Sequence, residues 1–510
     1  MMSSYNAAAE LVSKNTSNGL ADKIAYIDDV GSYSFSDLET RVQRTASVMQ
    51  AIGLHREQRV LLCMLDSFEL PSTFLGCIFK GIIPILTNTV LTKDDYAYML
   101  KDSRARIAIV DRSLANQFAS LIEDVPTLEK IIFSGPGEEL SELVSSHEPS
   151  LLHEETHKDE ACFWLYSSGS TGRPKGTVHK HSSFRTTVEN YADPVLKINA
   201  NDILFSAAKL FFAYGLGNAL TFPLSAGATT VLMAERPTPE SVIQRLIQYS
   251  PTVFFGVPTL YAALLNYENF PSKKNLSLRL CTSAGEALPI DLATRWEAQL
   301  GVKILDGIGS TEMLHIFLSN KEDSYKYGTT GTPLDGYELK ILNESGTEVS
   351  PREIGELYVR GESAALMYWN NQKKSRTTFQ GEWTRTGDKY EIDDEGFYVY
   401  CGRSDDMMKV GGIYVSPTEV ENALTTHLAV LEVAVVAKKD KEGLVKPKAY
   451  VVLNNVSNAS VSLENELKEY VKHSLAPYKY PRWVEFVDEL PKTATGKIQR
   501  FKLRDLVKTN

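Results

Sequence analysis

The chain lacks almost everything that would tie it to a membrane, a metal or an oxidising compartment. No apolar run approaches the ~18 residues that span a bilayer, and the longest, near residues 82–86 and 433–437, are no longer than buried strands. Cysteine is scarce. Cys63, Cys77, Cys162, Cys281 and Cys401 are odd in number, lie inside apolar stretches and form no CxxC pair, which excludes a disulfide scaffold or zinc ribbon and leaves reduced core thiols. The histidines, His179 and His181 included, show no metal-ligand spacing. Basic blocks are missing as well: 54 Lys and Arg face 64 Asp and Glu, a formal charge of −10, so nucleic acid is not an expected partner. The opening MMSSYNAAAELVSKN has no basic region followed by an apolar one, and the closing LVKTN is neither a prenylation box nor a peroxisomal signal. A cytoplasmic location without membrane insertion is the expectation.

What is present is the composition of a globular protein: 510 residues, 43% hydrophobic and 23% charged, too long for a single core. From residue 24 to 305, amphipathic helical stretches alternate with short apolar β-rich runs. Residues 59–64, 107–110, 130–133, 253–257 and 278–282 read as buried parallel strands, the signature of doubly wound α/β layers. After about residue 326, Gly and Pro turns separate alternating strands, as in GELYVRG and GFYVYCGR, which suggests a small antiparallel β-unit. A second α+β texture follows, with helices at 416–424 and 463–475 and strands at 432–437, 449–453 and 484–487. The turn-prone, charged stretch 402–406 marks the boundary. The expected fold is therefore α/β, with an N-terminal domain at 1–404 that includes a β-unit at about 326–404, and a small α+β C-terminal domain at 405–510.

The most informative segment is YSSGSTGRPKG at 166–176, directly after an apolar run. Ser167, Ser168, Gly169, Ser170, Thr171, Gly172 and Lys175 supply hydroxyls, glycines and a cation, so a loop after a strand can wrap its N–H groups and hydroxyls around phosphates. Walker A spacing is absent, because no Gly-Lys is followed by Ser or Thr. A Gly- and Ser-rich surface turn is the plain alternative.

At this segment the sequence resembles the AMP-forming adenylate-forming superfamily of acyl- and aryl-CoA ligases, luciferases and peptide-synthetase adenylation domains. The resemblance continues, in the family's order, through SAGE at 283–286, DGIGSTE at 306–312, WTRTGD at 383–388, GRSDD at 402–406 and PKTATGK at 491–497. It implies that ATP, Mg2+ and coenzyme A are used. Thr311 would meet the phosphate and Glu312 the magnesium ion; an acidic group among anion-binding ones makes sense if a hard cation lies between them. A solvated loop carboxylate is the alternative for Glu312. Asp388 would accept from the ribose hydroxyls and Arg403 would add a polar contact nearby. Gly285, Glu286, Asp306, Gly307 and Ile308, with Ser310, would line the nucleotide slot. Lys497 has basic neighbours in Lys492, Arg500 and Lys502, an ordinary charged face on composition alone; only the motif selects it as the ammonium between carboxylate and α-phosphate. The resemblance further implies a mobile C-terminal domain pivoting at Asp405, with Lys409, Gly411 and Gly412 then lining the pantetheine tunnel. The wording there departs slightly from the commoner V-S-G form.

The stretches 209–218 and 309–318 look much like the benzoate-CoA ligase branch. By that resemblance Phe212, Ala213, Tyr214, Gly309, His315 and Ile316 surround a planar ring, although core packing is an equal reading for each aromatic, and a buried histidine bonded to backbone is one for His315. The implied activity is ATP-dependent aryl-CoA ligation with benzoate or a small relative such as 2-aminobenzoate, by a monomer or homodimer. Loading of an aryl acid onto a carrier protein, a luciferase-like oxygenase and a non-enzymatic nucleotide binder are the alternatives.

Overall fold

A computed structural model describes residues 4–169, 172–410, 413–455, 459–492 and 498–509. Two large sheets form the body of the N-terminal part. In the first, seven strands run in the spatial order Met367–Tyr368, Gly172–Lys180, Ala161–Gly169, Ile83–Leu86, Arg59–Cys63, Ile107–Asp111 and Lys130–Ser134. Neighbours are parallel from Ala161–Gly169 onward, and the first two strands are antiparallel additions. The second sheet has nine strands, with Ile203–Ser206, Val253–Gly256, Leu280–Ser283 and Ile304–Gly309 as its parallel centre and Ile316–Ser319 antiparallel at one side. Central strands such as Val253–Gly256 are buried along their whole length, so their sequences are apolar without alternation. The five strands read from sequence are all found, with ends shifted by no more than two residues.

Helices cover these sheets, and their starts are written locally. The helix Phe35–Ala51 opens on a reciprocal cap: Ser34 Oγ accepts from the Asp37 N–H, and Asp37 Oδ2 accepts from the Ser34 N–H. The same device starts Lys93–Ser103 at Thr92 and Asp95. All five cysteines are buried and unpaired, as the apolar settings required.

One departure matters for function. The Gly- and Ser-rich segment, read as a loop after a strand, has its described flanks paired as the two arms of a long β-hairpin, with Tyr166 opposite Gly176 and Ser167 opposite Lys175. Its flank is anchored by polar contacts: the Tyr166 hydroxyl donates to Asp102 Oδ2 (2.9 Å), the Tyr98 hydroxyl to the Pro174 carbonyl (3.1 Å), and Trp369 Nε1 to the Asp102 carbonyl (3.0 Å). The short strand Met367–Tyr368 then pairs with the outer strand of the hairpin.

The chain next builds an antiparallel sheet from Tyr337–Leu342, Gly355–Gly361, Phe379–Gln380, Trp383–Ile392 and Tyr398–Arg403. Beyond it, Val430–Lys439, Val445–Leu453 and Trp483–Phe486 form a three-stranded sheet flanked by Pro417–Thr425 and Val461–Ser474, an α+β unit with its own apolar core. Among the described residues, no helix is long and apolar enough to cross a membrane.

Three histidines are walled into the N-terminal part: His179, His181 and His315, at 0%, 1% and 2% exposure. Burial, the largest cause in each, pulls them below the usual 6.5, to about 4, about 4 and about 3. The unfolded chain therefore binds more protons between pH 4 and 6.5, and stability is lost as pH falls through that window. By pH 5 the loss is about 2 kcal/mol per histidine. His181 Nδ1 accepts from the Ala7 N–H (3.2 Å). His181→Asn keeps an acceptor without a titrating group, so urea unfolding should show the loss between pH 7 and pH 5 shrinking by about 2 kcal/mol in the variant. An equal loss in both proteins would mean that His181 is already charged when folded.

Candidate active site

The centre of the site is the short turn Thr311–Met313, which follows the strand Ile304–Gly309 of the second sheet. Ser310 caps it, its Oγ accepting from the Met313 N–H at 3.2 Å. The half-buried Glu312 carboxylate points to the Gly- and Ser-rich hairpin of the first sheet. Its Oε1 accepts from the Tyr368 hydroxyl (2.7 Å) and from Ser167 Oγ (3.3 Å). Lys175, across the hairpin from Ser167, holds its ammonium 4.7 Å from the centre of the Tyr368 ring. Burial lowers its pKa, and the Glu312 carboxylate opposes that shift. Hairpin, turn and edge strand thus converge on a carboxylate and an ammonium. Sequence reading missed Tyr368, which stands 56 residues from Glu312 with no motif spacing to join them.

A second cluster comes from the antiparallel sheet. Asp388 and Arg403 face each other across paired strands, with Nη1 to Oδ1 at 3.2 Å, and Arg403 also donates to the Thr386 carbonyl at 3.1 Å. Asp388, the largest cause, raises the arginine pKa further. Asp405 lies 3.8 Å from the same guanidinium. Asp306 is buried at the end of its strand; desolvation pushes its carboxyl well above the usual range, and Oδ1 has no hydrogen-bond partner among the described residues. Glu286, beside Gly285 with its positive φ of 95°, accepts from the Ile498 N–H of the C-terminal part at 3.1 Å. Lys409 pairs with Glu344 at 2.7 Å.

The aromatic segment also comes together. Tyr214 opens the short helix Ala213–Leu216, and its hydroxyl meets Thr282 Oγ1 at 2.5 Å. Phe212, Ala213, Ile308 and Gly309 are half-buried, and Ile316 is buried. Gly309 has to be glycine, since a Cβ there would stand 2.4 Å from the His315 carbonyl oxygen. His315 lies deeper than its place in the motif suggests. Its ring packs between Tyr191, Tyr214 and Phe222, and Nε2 is 3.2 Å from both the Tyr214 carbonyl and Asn218 Oδ1. Both are acceptors, so Nε2 carries the proton and Nδ1 is left bare. Ser170, Thr171, Gly411, Gly412 and Lys497, together with the side chain of Ser168, lie outside the described residues.

Among the described residues, no three His, Cys, Asp or Glu side chains gather as a metal cage. One carboxylate beside a phosphate hairpin fits Mg2+ instead, which takes one or two carboxylates and completes its shell with water and substrate phosphates.

Two models of the AMP-binding enzyme family match the chain, the main one over residues 14–369 and its C-terminal domain over 419–497. The chain is 56% identical over 504 residues to a benzoate–CoA ligase of Thauera aromatica, covering 98% of this chain and 96% of that one. Among solved structures it superposes on a benzoate CoA ligase from Burkholderia xenovorans with a TM-score of 0.93 at 52% identity, covering 98% of this chain and all of the other. An anthranilate CoA ligase in complex with anthranoyl-AMP gives 0.95 at 40% identity, over 99% and 98% of the two chains.

Tyr368→Phe removes the hydroxyl that donates to Glu312 but keeps the ring under Lys175. Its ATP-dependent turnover should fall about tenfold, the worth of one hydrogen bond to a charged group, and Tyr368→Leu, which also takes the ring, should fall further. Unchanged turnover in Tyr368→Phe would show that Ser167 alone suffices to hold the carboxylate.

Proposed function

The chain belongs to the AMP-binding enzyme family, and on that premise we infer that it is an AMP-forming aryl-CoA ligase acting on benzoate or a small ring-substituted relative such as 2-aminobenzoate. The observation that carries the reading is the meeting of Glu312, Ser167, Tyr368 and Lys175 at the hairpin, in a chain that matches a benzoate–CoA ligase from end to end.

The reaction has two halves. A carboxylate oxygen of the acid attacks the α-phosphorus of ATP, and the bond to pyrophosphate breaks; the sulfur of coenzyme A then attacks the acyl carbon, and AMP leaves. In the first half two anions must meet, so fixed donors and cations must screen them. The hairpin, from Ser167, Ser168, Gly169, Ser170, Thr171 and Gly172 to Lys175, supplies N–H groups, hydroxyls and an ammonium to the phosphates, and Thr311 adds a hydroxyl. Glu312 would hold Mg2+, which neutralises phosphate charge when bound. Asp388 accepts from the ribose hydroxyls, and Arg403 holds that carboxylate in place by donating to its Oδ1. Gly285, Glu286 and residues 306–308, with Ser310, form the slot for the base. Lys497 neutralises the charge that develops between carboxylate and α-phosphate. The contact from Ile498 to Glu286 supports this role, because it seats the next residue in sequence on the nucleotide slot. In the second half the C-terminal domain pivots at Asp405, removing Lys497 and bringing Lys409, Gly411 and Gly412 to the pantetheine path.

Phe212, Ala213, Tyr214, Gly309 and Ile316 shape a flat slot for the ring. His315, neutral and buried behind Tyr214, braces that wall. A flexible alkyl chain would lose rotamer entropy in such a slot, so aryl acids are preferred over medium-chain fatty acids.

Lys497→Ala should abolish pyrophosphate release yet largely spare thioester formation from supplied aryl-AMP, a loss of about 3 to 4 kcal/mol confined to the first step. Equal loss in both halves would refute its assignment. Ile316→Ala should shift the kcat/KM ratio between bulkier and unsubstituted benzoates by about 1 to 3 kcal/mol. Assayed across a panel of acids, octanoate outperforming every aryl acid in the wild type would overturn the aryl reading. AMP release with a carrier-protein thiol but not with coenzyme A would overturn the choice of acceptor.

A further inference from the structure

His179 takes no part in the chemistry described above, yet it sits where the two halves of the nucleotide site join. It lies in Gly172–Lys180, the strand that leaves the phosphate hairpin. Its imidazole is wholly buried and stacks on Phe163 at 5.2 Å and 17°, and Phe163 in turn stacks on Phe184 at 4.6 Å. Nε2 is 2.7 Å from the Thr311 carbonyl oxygen, a partner 132 positions away in sequence. A carbonyl can only accept, so Nε2 carries the proton and Nδ1, which has no partner among the described residues, carries the lone pair.

The other carbonyls of the turn are held from elsewhere. The Glu312 carbonyl accepts from the Ala365 N–H and the Met313 carbonyl from Ser363 Oγ, both at 2.8 Å. Both of those donors precede the edge strand Met367–Tyr368. The bond from His179 joins the backbone of the turn directly to the hairpin. Hairpin and turn belong to different sheets, so nothing in either sheet's own ladder fixes the gap between them.

We propose that His179 is a positioning residue that sets Thr311 and Glu312 at their working distance from the phosphate hairpin, by donating Nε2–H to the Thr311 carbonyl from the side away from the nucleotide. The proposal rests on the reading of hairpin and turn as the ATP site. Preorganised donors stabilise a developing charge only when already at the right distance, so loosening the turn should fall on the rate of adenylation rather than on binding of the aryl acid.

Three substitutions separate the donor from the ring. His179→Gln places an amide N–H near the position of Nε2 and loses the stack. His179→Phe keeps the stack and loses the donor. His179→Asn stops one bond short, leaving its amide at the level of Nδ1. Each is measured by kcat and KM for pyrophosphate release with benzoate, by the ATP dissociation constant without acid, and by the thermal midpoint. His179→Gln should stay within about threefold of wild type in kcat, while His179→Phe and His179→Asn should lose about 10- to 100-fold with KM for benzoate within about twofold. If His179→Phe fails to fold, the contrast between Gln and Asn decides. Equal kcat in wild type and the donor-lacking variants, or a loss in Gln as large as in Phe and Asn, overturns the proposal. A wild type that releases no pyrophosphate with any aryl acid would instead overturn the functional reading. The ATP titration still decides then: about fivefold weaker binding in Phe and Asn, but not in Gln, supports the positioning role, and equal binding in all three refutes it.

Discussion

The turn at Thr311–Met313 has to satisfy outward-facing carbonyls and a carboxylate between two sheets, and the architecture around it follows from how those demands are met. Buried backbone carbonyls need donors. Within the turn the Leu314 and His315 N–H groups donate to the Thr311 and Met313 carbonyls; from outside it the donors are His179, Ala365 and Ser363, and the carboxylate takes Tyr368 and Ser167. This gives a closed circuit: the hairpin pairs with the strand Met367–Tyr368, Tyr368 donates to Glu312, and Glu312 returns to the hairpin through Ser167. A circuit of this kind resists deformation better than a chain of the same bonds, because opening one member leaves the others in register. The edge strand in this circuit is only two residues long, yet it sets both the Tyr368 hydroxyl on Glu312 and the Tyr368 ring beneath Lys175.

Charge balance in the site fits a polyanionic ligand. Before nucleotide arrives, Lys175 lies near Glu312 and Arg403 faces Asp388, so each half-buried cation has a carboxylate within reach. Without those partners the desolvation that already lowers the Lys175 pKa would go uncompensated. A triphosphate brings more negative charge than these two cations can match once their carboxylates are counted. The proposed Mg2+ at Glu312 and the Lys497 ammonium nominated by the motif would each add positive charge against it.

Much of this was legible in the sequence, for reasons that differ by level. Strands such as Ile107–Asp111 are buried on both faces and therefore continuously apolar. The strand near 280 was placed two residues early, because Leu276, Leu278 and Leu280 alternate like a strand while Arg279 in fact turns out to Asp202. Motifs nominated Glu312, Asp388, Arg403 and Lys175, and the fold brings these into two facing pairs. Tyr368 and His179 could not be nominated, since each acts on a partner 56 or 132 positions away through a contact that only topology creates. His315 shows the opposite limit. The resemblance set it among the residues around the ring and left a buried histidine bonded to backbone as the other reading; the imidazole is buried and bonded to the Tyr214 carbonyl, and Gly217, where a Cβ would stand 2.3 Å from His315 Cδ2, makes room for it. Depth of burial is not encoded in a motif.

The C-terminal domain follows from a contrast in bond strengths. A domain that is to exchange two arrangements must give up weak contacts and keep strong ones. Inside it the keeping contacts are strong: an apolar core from Met408 to Val484, and Arg500 gripping Glu421 at 2.7 and 3.1 Å with both side chains largely buried. Breaking that pair would strand a buried charge, so Arg500 is fixed to the C-terminal unit. The contacts across to the N-terminal part are of another kind. Lys409 and Glu344 form an exposed pair, of the class worth about 0–1 kcal/mol, and Ile498 offers Glu286 one backbone N–H. Between the two sets, at the position proposed as the pivot, Arg403 reaches Asp405 and Arg504 grips Asp406. Arg403 also holds Asp388, so one guanidinium contacts both Asp388 and Asp405. Under the roles proposed for Asp388 and Asp405, nucleotide binding and the pivot are joined through that one side chain.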